Sequence, residues 1–246
     1  MDRSVYVAMT GATQIMRAQD AVSHNLANAS TVGFKSQLSA FQSVPVLGDG
    51  TPARINAVAH GIGQSSAQGS PVNTGRSLDI SVRGAGFIAV QAPDGSEGYT
   101  RAGDLQLTAD GGLTDARGNP VMGSSGPITI PPATDISVGS DGTISTVPQG
   151  QGPNSVSQID RIKLVNPDPA QLAKGADGLL HLAGGASADA DPGVQLASQA
   201  LEASNVNPST ELVRMIGLSR QYEMQVRSIK TAEDNADASL KLLQAN

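Results

Sequence analysis

The stretch HNLANASTVGFKS, residues 24–36, marks the place where one pattern in this chain ends and another begins. Upstream of it, Val5, Ala8, Ala12, Ile15, Gln19, Val22 and Leu26 are spaced three and four residues apart. That alternation predicts an amphipathic helix with a heptad seam. The seam is light, being mostly small residues with a polar Gln19, so such a helix alone is marginal in water. The glycine of the quoted stretch follows the helix, and no strand precedes it. A phosphate-binding loop needs the reverse order, a strand and then glycines opening a helix. Gly33 is therefore read as the residue whose positive φ lets the backbone leave the helix. Phe34 anchors the start of the next segment.

That segment, 36–76, is rich in Gly, Ser, Pro and Ala and has no sustained period. About forty residues is far beyond an ordinary connection, so it is expected to be an extended arm lying on something else, or a linker. From Ser77 the period becomes two. Leu78, Ile80 and Val82 alternate with polar residues, and Leu105/Leu107, Ile128/Ile130, Ile136/Val138 and Ile162/Leu164 repeat the pattern. Asp-Gly pairs at 94–95, 110–111, 141–142 and 177–178 supply turn residues that tolerate positive φ. Short strands with turns between them predict an all-β sandwich or barrel-like domain over 77–185, with a return segment at 186–204.

Asn207-Pro208 is a helix start, an amide N-cap followed by a ring already at helical φ. Beyond it, Leu212, Met215, Ser219, Tyr222, Val226, Ile229, Glu233, Ala236, Leu240 and Leu243 repeat the three-four spacing. Glu223/Arg227 and Asp237/Lys241 are placed to form i,i+4 pairs. A helix over 208–243 would be about 54 Å long, a length that argues for helical packing between chains. The predicted class is α+β. Helices in 1–35 and 205–246 form an inner, coiled-coil type domain and flank the arm (36–76) and the β-domain.

Composition narrows the function. Net charge is -6, so there is no cationic excess for a broad nucleic-acid interface. Three Tyr, three Phe and no Trp leave little aromatic material for a small-molecule pocket. There is no cysteine, hence no disulfide or thiolate chemistry. The N-terminus lacks the apolar core of a cleaved secretory signal, and no segment has the roughly 18 apolar residues of a membrane span. RGAGFIA at 83–89 superficially fits a dinucleotide fingerprint, with Asp104 downstream. It runs into strand-like FIAVQA rather than a helix, so a glycine-hinged hairpin is the better reading. His24, His60 and His181 have no metal-ligand spacing, and the Asp-Gly turns lack an EF-hand ligand series. Arg101 and Asp104 are close enough in sequence for an exposed ion pair. No catalytic residues, cofactor or metal site are expected.

The segment NLANASTVGFK, 25–35, resembles the signature that ends the N-terminal helix of the flagellar rod, hook and hook-associated axial proteins. LEASNVNPSTELVRMIGLSRQYE, 201–223, resembles the matching C-terminal signature, and it contains Asn205 and Asn207. Between them RSLDISVRGAGFIAV, YTRAGDLQLTADGGL and GNPVMG resemble the family's β-domain segments. The start MDRSVYVAMTGATQ and the stretch after GFK point to the proximal-rod members, with distal-rod or hook-type members as the alternative. From a different class, a secreted trimeric coiled-coil adhesin is a remote alternative.

The resemblance implies a non-enzymatic structural subunit of the basal body, located in the periplasm-spanning rod. It implies passage through the flagellar type III export apparatus without a cleaved signal. Its partners would be other copies of itself and other rod proteins, with no nucleic acid and no membrane insertion. The assembly interface is expected at Val5, Ala8, Ala12, Ile15, Val22, Asn25, Leu26, Asn28, Gly33, Phe34, Asn205, Asn207, Leu212, Met215, Tyr222, Val226, Ile229, Leu240 and Leu243. Asn25 and Asn28, three apart on one helical face, are read as hydrogen-bonding to neighbouring chains.

Overall fold

A computed structural model describes residues 3–45, 55–151 and 155–244. The protein is α+β, with a helix near each end and sixteen strands between them among the described residues. It divides into two compact units. One comprises Met1–Ala29, Ser36–Ser65 and Val206–Asn246, and the other Ser30–Lys35 with Ser66–Asn205.

In the helical unit, α1 (Arg3–Ala27) packs along α2 (Pro208–Gln244), and a hairpin of β1 (Gln37–Pro45) and β2 (Ile55–Gln64) lies against α1. The start of α2 is set by two residues. Pro208 opens it, and the Asn207 Oδ1 accepts hydrogen bonds from the Ser209 and Thr210 amides at 3.0 and 3.2 Å. The buried face of α1 carries Ala8, Ala12, Ile15, Ala18 and Val22. Two amides fix the hairpin to it. Asn25 is 1% exposed and pairs with the Gln37 backbone like a peptide group: its Nδ2 donates to the carbonyl at 3.0 Å and its Oδ1 accepts from the amide at 2.8 Å. The Ala59 amide donates to Gln14 Oε1 at 3.0 Å. So the stretch without a period contains a hairpin. Nearly all of β1 is exposed on both faces, and a strand with no buried face has nothing to impose alternation.

The β-rich unit holds the remaining strands. In chain order these are β3 (Pro71–Asn73), β4 (Ile80–Arg83), β5 (Phe87–Gln91), β6 (Glu97–Thr100), β7 (Gln106–Leu107), β8 (Leu113–Thr114), β9 (Ala133–Val138) and β10 (Thr143–Pro148). They continue as β11 (Ser157–Arg161), β12 (Leu164–Val165), β13 (Leu172–Lys174), β14 (Leu180–Leu182), β15 (Gln195–Ser198) and β16 (Ala200–Glu202). A five-stranded sheet runs β12-β5-β6-β14-β13 and a three-stranded one β11-β10-β9. Pairs β15–β4, β16–β3 and β7–β8 complete the unit. The pairings are antiparallel throughout.

Its core joins Ile80, Ile88, Leu105, Leu113, Val121, Ile128, Ile144, Ile162 and Leu196, drawn from strands β4, β5, β8, β10 and β15 and the segments between strands. The alternation seen in the sequence marks this core well, except that Leu107 is exposed while Leu105 is buried. All four Asp-Gly glycines have φ between 82° and 88°. Three of the aspartates accept from the amide two residues on, at Ser96, Thr143 and Leu179, which fixes each turn locally. Gly84 and Gly86, also at positive φ, join strands β4 and β5, so RGAGFIA is a hinge between strands.

Tyr99, 1% exposed, sits in a second small cluster with Ala89, Val165 and Ala188, and its hydroxyl accepts from the Ala188 amide at 2.7 Å. Burial pushes the phenol up to about 12 from its ordinary 10. Between those values the folded state holds a proton that the unfolded chain has released. Stability is therefore intact below pH 10 and falls as pH rises toward 12, by about 1.4 kcal/mol per unit at most. Denaturant titrations across that range should show the fall, and Tyr99→Phe should flatten it.

Candidate assembly interface

The residues 30–35 leave the helical unit and join the β-rich one. There the two sequence signatures meet. The Gly33 amide donates to the Glu202 carbonyl at 2.7 Å, and the Asn205 amide donates to the Phe34 carbonyl at 3.3 Å. Phe34 is buried, with Lys174 Nζ 5.2 Å from its ring centre. The Lys35 ammonium, also buried, donates to Glu202 Oε1 at 2.5 Å and to the Ala67 carbonyl at 2.7 Å. Glu202 Oε1 additionally accepts from the Gly69 amide at 2.9 Å. Its other oxygen faces Arg101 Nε at 3.4 Å. Arg101 also donates to the Gly84 carbonyl.

This is a buried triad with one carboxylate between two cations. Burial lowers the Lys35 pKa, and the hydrogen bond and charge of Glu202 oppose that shift. Burial likewise lowers that of Arg101, again opposed by Glu202. The carboxylate is thus what keeps both cations tolerable in a dry site. Arg101 turns to Glu202, across the unit's sequence, rather than to Asp104.

Gly33 has φ +65°, and a Cβ there would collide with the Arg101 backbone carbonyl. Gly75 has φ +74° with open space around it. Gly33→Ala should therefore cost clearly more than Gly75→Ala, which carries only the conformational penalty of about 1 kcal/mol. Chemical denaturation of the two variants measures the difference.

The helix residues expected at the interface divide by their burial within the single chain. Val22 is 4% exposed, and Ala8, Ala12 and Ile15 are buried with it, while Val5 and Leu26 are half-buried. Asn28 hydrogen-bonds to the His24 carbonyl of its own helix at 2.8 Å. On α2, Met215 and Ile229 are half-buried, whereas Leu212, Tyr222 and Val226 are exposed. The side chains of Leu240 and Leu243 lie outside the described residues. Neither Glu223/Arg227 nor Asp237/Lys241 closes to an ion pair; Glu211 and Arg214 do so at 3.4 Å.

A profile of the flagella basal body rod protein family matches residues 5–35. The flagellar hook protein FlgE/F/G D1 domain matches 81–146, and the flagellar basal body rod FlgEFG protein C-terminal family matches 197–242. The flagellar basal-body rod protein FlgF of Escherichia coli (strain K12) is 39% identical over 249 residues, covering 99% of both chains. The chain belongs to the flagellar basal-body rod protein family. FlgF of Salmonella typhimurium (strain LT2) is equally similar, at 39% and 99% of both chains. FlgG of Buchnera aphidicola subsp. Schizaphis graminum is 33% identical over 94% of this chain and 95% of its own.

In this rod protein the matched N- and C-terminal segments hold the two residues that form the 2.5 Å ion pair, Lys35 and Glu202. Sequence reasoning singles out both segments but misses the pair, because nothing local connects a lysine and a glutamate 167 positions apart. The less exposed stripe of α2 shares Met215, Ile229 and Ala236 with the expected apolar series, but its other members, Glu211, Leu218, Gln225 and Ala232, are missed. Each of those four stands one position before a member of the apolar series, and two of them, Glu211 and Gln225, are polar. Gln225 lies over Gly11, where a Cβ would stand 3.3 Å from the flexible amide group and displace it by a few tenths of an ångström.

Proposed function

We propose that this chain is a structural subunit of the proximal part of the flagellar basal-body rod, without enzymatic activity. It stacks helically with other copies and with other rod proteins, encloses the export channel and carries motor torque toward the hook. It reaches the periplasm through the flagellar type III export apparatus, without a cleaved signal. The 39% identity to FlgF of Escherichia coli and of Salmonella typhimurium, over 99% of each chain, supports the proximal position.

One observation carries this reading for a chain of the family: the helical unit leaves large apolar side chains in water. Tyr6, Met9 and Met16 form one stripe along α1, with Tyr6 72% exposed. Leu212, Ile216 and Val226 form another on α2, flanked by Val213 and Met224. Exposed apolar surface of this extent marks an association surface rather than a solvated face. Coiled-coil type packing between subunits would bury these stripes at about 25 cal/mol per Å². The amides of Asn25 and Gln14 hold the hairpin to α1 within the subunit, and the apolar Leu38, Phe41 and Val44 of β1 remain available to neighbours.

Deleting the gene should abolish swimming and leave basal bodies without a complete rod, and purified wild-type basal bodies should contain the chain. Complete rods in the deletion strain would refute the proposal.

A further inference from the structure

The residues 30–35 are a ligand as much as a part of the fold. Both flanks belong to the helical unit, while the six residues themselves sit in the β-rich unit. Backbone hydrogen bonds from Gly33 and to Phe34, with the side-chain contacts of Phe34 and Lys35, help to hold them, rather than a strand ladder. The site reads each feature separately. Arg101 backbone leaves no room for a side chain at Gly33, the pocket closes over an aromatic ring beside Lys174, and Glu202 with the Ala67 carbonyl takes an ammonium.

We propose that this is a binding socket for a Gly-aromatic-Lys segment, and that a second copy of the chain can fill it by exchanging its own residues 30–35. Every contact would be conserved on exchange, because plug and socket are the same in both copies. Tethering favours the chain's own plug at low concentration, so exchange is revealed by making that plug mismatched. The inference concerns binding in solution and does not rest on the rod assignment.

The test uses two full-length variants, Lys35→Glu and Glu202→Lys. Each opposes like charges within its own chain, and each alone should be a monomer of lowered melting temperature. Mixed in equal amounts, they can exchange plugs so that both sockets meet an opposite charge. Light scattering should then detect a dimer, melting above either variant. A mixture that stays monomeric, while the single chain carrying both substitutions regains wild-type melting, would overturn the proposal.

A second measurement covers failure of Glu202→Lys to fold. Full-length protein with Phe34→Ala and Lys35→Ala keeps the socket but truncates the plug. A fluorescent peptide STVGFKS should bind it saturably, and the same peptide with Glu in place of its lysine at least about tenfold more weakly. Equal binding of the two peptides, or none, would overturn the socket.

Discussion

Replacing Glu202 by alanine is expected to destabilise the β-rich unit by about 3–5 kcal/mol, the cost of leaving buried charge without its partner. The variant leaves Lys35 and Arg101 side by side in a dry site, with only carbonyl oxygens to accept their protons. Near-ultraviolet circular dichroism during denaturant unfolding reads this unit well, since Tyr99 is buried there while Tyr6 and Tyr222 are exposed. Lys35→Met alone should also destabilise, by removing one cation and stranding part of the carboxylate's charge. The two substitutions combined should cost less than their sum, because they remove the same interaction. Additive losses would mean that the triad is not an energetic unit.

The second large effect separates folding from assembly. Val22→Asp places a charge on the buried face of α1, so that α1 and α2 should lose their packing. Helical ellipticity from the 25-residue α1 and the 37-residue α2 should fall sharply while the Tyr99 signal persists. An isolated helix with so light a seam cannot hold by itself, which is why one charge has so large an effect. Met16→Asp, on the exposed stripe, should leave the ellipticity and melting of the isolated subunit unchanged and still abolish swimming. Swimming cells carrying Met16→Asp would show that the stripe faces solvent in the working structure.

Much of the fold is legible because its determinants are local. Asn207-Pro208 reads as a helix start on sight, the Asp-Gly pairs read as turns, and alternation finds Ile80, Val82, Ile128 and Ile130. The same local reading fails where burial is decided by distant partners. The hairpin of β1 and β2 leaves no alternation because nearly all of β1 is exposed. On the less exposed stripe of α2, apolar counting finds Met215 and Ile229 but rejects the polar Glu211 and Gln225. The triad escapes for a related reason: a lysine after Gly33 and Phe34 looks like an ordinary surface residue until Glu202 arrives from the far end of the chain. Asn25 is the converse case. Its importance is visible in the sequence, but its partner is the backbone of Gln37, 12 residues on and within the same subunit.

The central claim, that the exposed helical stripes are covered by neighbouring subunits, can be measured directly because the chain has no cysteine of its own. Single cysteines at Tyr6 and Ile216, with one at the exposed Asp110 of the β-rich unit as reference, can be labelled with a maleimide in isolated subunits and in purified basal bodies. The account predicts rapid labelling at all three positions in the isolated subunit, and loss of labelling at positions 6 and 216 on assembly. Equal labelling of those two positions in basal bodies and in free subunits would contradict it.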